Sequence, residues 1–181
     1  MTYALIIFGG FLLLIIFFFN NLIAKKNKTE EAYSSIDVML KKRTDLIPQL
    51  VSTVKGYMNH ERDTLTEITQ LREKIMNENP EANDRFHLES QLGMMLGKLQ
   101  VRAEAYPDLK ASENFLQLQT ALNEVEEQLS AARRAYNAAV NLFNNAFEMF
   151  PSNIMANIMG YSRKTLFTIE AEEKKVPEVS F

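Results

Sequence analysis

The longest regular pattern in the chain is the stretch FLQLQTALNEVEEQLSAARRAYNAAVNLFNNAFEMF, residues 115–150. Its apolar residues recur at alternating intervals of three and four, which places them on one face of a helix. Pro151 follows directly and cannot continue that helix. The stretch therefore predicts one long helix that is buried along a single face. Its large side chains are expected to pack against other helices: Phe115, Leu122, Leu129, Tyr136 and Phe143.

Three further amphipathic stretches precede this one, and they lie at about Leu22–Leu40, Ile47–Ile75 and Phe86–Ala105. Together the four predict an all-α fold in which an N-terminal transmembrane helix is followed by an antiparallel, up-and-down four-helix bundle. Two connections are possible between the first and second stretches. The favoured one is a turn in the polar run Lys41–Asp45; the alternative is one helix that is kinked near Pro48.

Two glycines lie four residues apart in the third stretch, at Gly93 and Gly97. Each costs a helix about 1 kcal/mol relative to alanine, so their presence on one face requires a reason. The favoured interpretation is a smooth patch where another helix approaches closely. The alternative is a loosely packed surface helix that tolerates both residues.

The N-terminal residues form an apolar segment that is long enough to cross a bilayer. Tyr3–Phe19 contains no polar residue, and Leu22 to Ala24 extend the segment past two asparagines. Twenty-two residues span about 33 Å as a helix, against about 30 Å for a hydrocarbon core. No charged side chain precedes the segment, which disfavours a cleavable signal peptide. Residues 1–24 are therefore predicted as an anchor, with lipid-facing side chains at Tyr3, Phe8, Phe11, Leu14, Phe19 and Ile23.

Charge predicts the orientation of this anchor. Lys25, Lys26 and Lys28 follow the apolar segment immediately. Because lysine and arginine are retained on the cytoplasmic side, we expect a short N-terminus outside and the C-terminal domain inside. We assign residues 25–161 to that helical domain and residues 162–181 to an extended acidic tail.

Composition limits the chemistry that the chain can perform. Its 181 residues include no cysteine, which excludes thiol catalysis and cysteine-ligated metals. A net charge of −3 argues against a nucleic-acid partner. Neither histidine, His60 or His87, lies in a spacing typical of a metal site or a catalytic group. We therefore expect no enzymatic activity, no metal and no cofactor.

A short apolar segment precedes the tail. Its apolar residues fall at Ile154, Met155, Ile158 and Met159. Two interpretations are open, either a cap over the end of the bundle or a contact with the membrane surface or a partner.

A group of polar residues also has two interpretations. It consists of Asp45, Lys55, Asp108, Arg133, Arg134 and Asn137. Such residues either fix the register of the helices by internal bonds, which is favoured, or present a surface to a partner.

Several of these segments resemble the LemA family. The resemblance is carried by 45–51 (DLIPQLV), 106–110 (YPDLK), 132–137 (ARRAYN), Phe150-Pro151 and the Val-Ser-Phe ending. Three departures are Tyr33, where the family commonly has tryptophan, Met39, where it commonly has glutamine, and Leu166-Phe167, where the family has Tyr-Phe near the C-terminus. The resemblance implies a bacterial protein anchored in the cytoplasmic membrane, with a cytoplasmic helical bundle. It implies no catalytic residues.

Two functions remain open on this basis. The first is a self-associating scaffold, a homo-oligomer on the lipid bilayer, with membrane shaping as an extension. The second is an adaptor that presents a surface to a membrane-protein partner such as a protease or sensor.

Overall fold

The computed structural model of the chain describes residues 1–58, 60–77 and 82–167, and within these ranges every regular element is a helix. The all-helical prediction is confirmed. The elements are α1 (Thr2–Lys55), α2 (Arg62–Asn77), α3 (Ala82–Ala103), α4 (Pro107–Lys110), α5 (Glu113–Glu148) and α6 (Ser152–Ile158).

Helix α1 continues through the region where a turn was favoured, so the turn predicted at Lys41–Asp45 is wrong. Lys41 and Thr44 have partners within the helix. Lys41 Nζ lies 3.3 Å from an oxygen of Asp45, and Thr44 Oγ1 donates to the carbonyl oxygen of Leu40 at 2.7 Å. Pro48 lies inside α1. The alternative of a single helix through Pro48 is therefore correct as far as Lys55.

The chain turns instead after Gly56. The amides of Tyr57 and Met58 both donate to the carbonyl oxygen of Val54, at 2.9 Å. The predicted second helix is thus divided between the end of α1 and α2. The apolar period concealed this break because it runs from Val54 to Tyr57, but Tyr57 is 43% exposed and its neighbour Met58 is buried instead.

Contacts divide the chain into two compact units, and Ile36–Ala131 forms one of them. One apolar core holds this unit together. It contains residues from the end of α1, from α2 and α3, from the short helix α4, and from the start of α5. Helix α4 was not foreseen; it begins at Pro107, where a missing N–H costs nothing. The most deeply buried members include Ile47, Val54, Ile68, Leu92, Leu99 and Leu109.

The other unit combines Met1–Ser35 with the described residues of Ala132–Phe181. Its core is small. Leu22, Phe143 and Ala156 are buried together, and Met155, Met159 and Tyr161 pack against them with Ala146 and Phe147.

The five seam residues predicted on α5 are all buried, at 9% exposure or less. The two glycines of α3 differ. A Cβ placed on Gly97 would meet nothing within 4 Å, so the predicted close approach of a helix is not found there. A Cβ on Gly93 would lie 3.5 Å from Nη1 of Arg43, an ordinary contact.

Candidate functional site

The first part of α1 is a candidate membrane-spanning helix. Its most apolar window has a mean hydropathy of 2.6, and none of that window is buried by the protein. Tyr3, Phe8, Phe11, Leu14 and Phe19 are all exposed, whereas Ile23 is partly covered. Burial begins at Leu22, which is 1% exposed. Residues 2–21 therefore offer about 30 Å of uncovered helix, the thickness of a hydrocarbon core.

Helix α6 packs directly against the end of this apolar segment, because Ala156 and Leu22 share one buried cluster. The four candidate contact residues of α6 divide into two pairs. Met155 and Met159 pack against the cluster, whereas Ile154 is 48% and Ile158 is 73% exposed. Phe150, just before α6, is 79% exposed. Exposed apolar side chains thus lie on the segment that borders the candidate span.

Two of the lysines that follow the apolar segment form ion pairs with glutamates of α1. Lys26 Nζ lies 3.0 Å from Glu30, and the hydrogen bond and charge of that carboxylate raise the pKa of Lys26. The same contact lowers the pKa of Glu30. Lys28 lies 3.3 Å from Glu31. These are exposed pairs within one helix, so each contributes little to stability.

Residues 161–167 follow α6 without regular secondary structure and are held by two asparagines of α5. Asn144 donates to the carbonyl oxygen of Lys164 and accepts from its amide, both at 2.9 Å. Asn137 makes the same pair of bonds with the carbonyl and amide of Phe167, both at 2.8 Å. We call residues 161–167 the strap and the two asparagines the clamp.

Aromatic contacts accompany the clamp. The hydroxyl of Tyr136 donates to the carbonyl oxygen of Thr165 at 3.1 Å, and burial raises the pKa of Tyr136, aided by Tyr33. The guanidinium of Arg133 lies 4.4 Å from the ring centre of Phe167. These contacts add to the clamp bonds and hold the strap at Thr165 and Phe167.

Replacing Asn144 with alanine is expected to loosen the strap. Each buried neutral hydrogen bond contributes about 1 kcal/mol, and the substitution removes two. We therefore expect amide hydrogen exchange at Lys164 to become about tenfold faster or more, measured on the full chain in detergent. The matched control is Asn145→Ala, since Asn145 is the next residue of α5 and is exposed. Equal exchange rates in the two variants would contradict a holding role for Asn144.

A buried ionic cluster lies within Ile36–Ala131. Arg43 is 1% exposed; it contacts the carboxylate of Glu89, which is buried, and that of Glu126, at 2.6 Å. It also donates to the carbonyl oxygen of Glu89 at 3.0 Å. Burial alone would lower the pKa of Arg43, but the charges and hydrogen bonds of the two glutamates outweigh it and raise that pKa. Arg43 therefore stays a cation inside the core.

The residues of the predicted polar group belong to different units. Asp45, Lys55 and Asp108 belong to Ile36–Ala131, whereas Arg133, Arg134 and Asn137 belong to the other unit. Asp45 pairs with Lys41 on its own helix, and Asn137 holds the strap. Sequence reasoning did not identify Arg43, Glu89 or Asn144, which make the more buried polar contacts.

His87 lies 2.9 Å from Gln91, one turn further along α3. Among the described ranges, no group of three or more histidine, aspartate or glutamate side chains has a geometry suited to a metal ion.

Comparison with known proteins places these features in a family. The LemA family model matches residues 32–181. Protein LemA of Metamycoplasma hominis is 32% identical over 149 residues, which cover 82% of this chain and 68% of that protein. Magnetosome protein MamQ 2 of Paramagnetospirillum magneticum is 32% identical over 75 residues, or 41% of this chain. MamQ of Magnetospirillum gryphiswaldense is 28% identical over 75 residues. The match spans 28% of the length of each MamQ protein.

Proposed function

The chain belongs to the LemA family, and we propose that it is a non-enzymatic scaffold that is anchored in the bacterial cytoplasmic membrane and self-associates on the cytoplasmic face. The observation that carries the membrane assignment is the uncovered apolar part of α1, which is followed at once by the buried Leu22. We further propose that the helices of Ile36–Ala131 form an antiparallel bundle. The short connection between α1 and α2 supports this topology.

Self-association is supported by apolar side chains that the chain leaves uncovered outside the span. Val101 on α3 is 74% exposed, and Leu142 on α5 is 55% exposed. Burying such side chains against a second copy contributes about 1.5–3 kcal/mol each. Membrane shaping is an extension of this proposal, since an assembly of anchored copies would act on the bilayer that holds them.

The experiment for self-association uses the full chain in lipid vesicles. Copies labelled with a donor or an acceptor fluorophore are expected to transfer energy, and the transfer should persist when added lipid dilutes the protein tenfold. An unrelated single-span protein at the same density is the control. Transfer that falls to the level of that control would overturn the scaffold proposal.

The proposed orientation can be measured with single cysteines, because the chain has none of its own. Positive charge on the C-terminal flank favours the N-terminus outside. In intact cells, an impermeant maleimide should label Thr2→Cys and spare Lys42→Cys, an exposed position of α1. After lysis both should react. Labelling of the Lys42→Cys variant in intact cells would reverse the orientation.

We also propose that the segment containing Phe150 and α6 makes a second contact with lipid. The chain contains no tryptophan, so Phe150→Trp introduces a single fluorescent probe. We expect brominated lipids to quench this tryptophan several-fold more than the one in Ala135→Trp. Ala135 is an exposed position fifteen residues earlier, about 22 Å along α5. Equal quenching of the two variants would place α6 away from the bilayer.

A further inference from the structure

The strap is recognised chiefly through its main chain. Five hydrogen bonds join it to three side chains of α5, and all five end on backbone groups of residues 164, 165 and 167. Each clamp asparagine offers one donor and one acceptor to a single residue, as a neighbouring β-strand would. Recognition of an extended segment by its backbone bonds is a general mode of peptide binding.

The spacing of the clamp matches the spacing of an extended chain. Asn137 and Asn144 are seven residues apart, about 10.5 Å along a helix. The residues that they hold, Phe167 and Lys164, are three apart, which is about 10 Å in an extended segment. The order is reversed, so the strap runs antiparallel to α5. This agreement lets both asparagines bind one straight peptide at the same time.

Three side chains of the strap also make contacts with the helices around it. The Phe167 ring lies under Arg133, and the Tyr161 ring lies 6.0 Å from that of Phe143. Lys164 Nζ lies 4.0 Å from Glu30 of α1 and 5.9 Å from the ring centre of Phe143. The groove therefore lies between α1 and α5. It favours an aromatic residue, a base three residues later and a second aromatic residue after three more.

We propose that this groove also binds the strap of a second copy of the chain, so that two copies exchange residues 161–167. The occupant is part of the chain itself, because the segment that fits the groove is present in every copy. Gly160, between α6 and the strap, has a φ of 65°, and glycine accepts either sign of φ at little cost. It is therefore a suitable hinge for exchange. The proposal rests on the proposed self-association and names the contact that produces it.

Anchoring makes exchange between copies more favourable than it would be in solution. Copies held in one bilayer keep their grooves at the same height above the lipid, because Leu22 fixes α6 beside the end of the span. Confinement of this kind raises the effective concentration of one binding segment around another.

The test is a thiol crosslink between differently tagged copies in the membrane. One copy carries Asn141→Cys, an exposed position on α5 between the two clamp asparagines. The other carries Thr165→Cys, whose side chain is exposed and whose carbonyl alone is bound. A short bis-maleimide should produce a product that carries both tags. A single chain with both cysteines is the positive control, since it crosslinks internally.

Disruption of the clamp should remove the mixed product. We expect Asn137→Ala with Asn144→Ala, introduced into both copies, to reduce it at least tenfold. The matched control, Asn145→Ala in both copies, should leave it unchanged. Internal crosslinking without any mixed product would overturn the exchange and leave the strap bound only within its own chain.

Energy transfer between copies, measured on the same variants, distinguishes the two proposals. Suppose that chains with an intact clamp give no mixed product, and that energy transfer persists in the clamp variant. The copies then associate by another surface, and only the exchange fails. If transfer is absent even with the clamp intact, the scaffold proposal fails as well.

Discussion

Replacing Arg43 with methionine is expected to lower the free energy of unfolding by about 3–5 kcal/mol, because it leaves the carboxylate of Glu89 buried without its cation. Glu89 is 0% exposed, so water cannot take the place of the guanidinium. The measurement is urea denaturation of the full chain in detergent, followed by circular dichroism.

Two controls separate the buried pair from a general effect of charge. Lys41→Met breaks a pair in which both side chains are more than half exposed, and it should cost about 0.5 kcal/mol or less. Arg43→Met combined with Glu89→Met removes both buried charges and should recover most of the loss, since Glu126 is 43% exposed and can be hydrated. A double variant that is less stable than Arg43→Met would contradict this account.

Two lysines in the middle of the apolar segment are expected to abolish membrane insertion. Leu12→Lys and Leu13→Lys lie near the centre of residues 2–21, and each lysine there costs about 2.5–3.5 kcal/mol. Their sum, about 5–7 kcal/mol, offsets the roughly 3–7 kcal/mol that the eleven remaining Leu, Ile and Phe residues of the segment contribute at about 0.3–0.6 kcal/mol each. We expect the variant to leave the membrane fraction on alkaline extraction, whereas the unaltered chain stays with the membrane.

The matched control places the same charges at the end of the segment. Asn20→Lys with Asn21→Lys adds two lysines where side chains can reach the interface, and retention in the membrane should be unchanged. Retention of the Leu12 and Leu13 variant would mean that α1 does not cross the hydrocarbon core.

The sequence predicted α5 well, because its apolar period continues without a break and a proline follows it. It misplaced the first turn for a physical reason. Three consecutive basic residues suggested a solvated loop, but Arg43 belongs to the apolar face. Counting it restores the alternation of four and three residues in the buried series Ile36, Leu40, Arg43, Ile47, Leu50 and Val54. A charged residue in phase with an apolar seam was the available signal for a buried ion pair.

The clamp was only half visible in the sequence. Asn137 was selected, but as part of a polar group whose members lie in different units. Asn144 is 5% exposed and lies next to Phe143 on the buried side of α5. Two asparagines seven residues apart on that side were the signal. The two asparagines bind main-chain groups, which leave no pattern in the sequence. The strap could therefore be identified only from the structure.

The clamp has a consequence for how such chains diverge. Because it binds backbone groups, substitutions at strap positions 162, 163, 165 and 166 leave its hydrogen bonds intact. Substitution of Asn137 or Asn144 does not, since few other side chains present a donor and an acceptor side by side. Mutational drift is thus tolerated along the bound segment and restricted on the helix that binds it. If copies exchange straps as proposed, chains that differ in strap sequence should still bind one another's straps through these backbone groups.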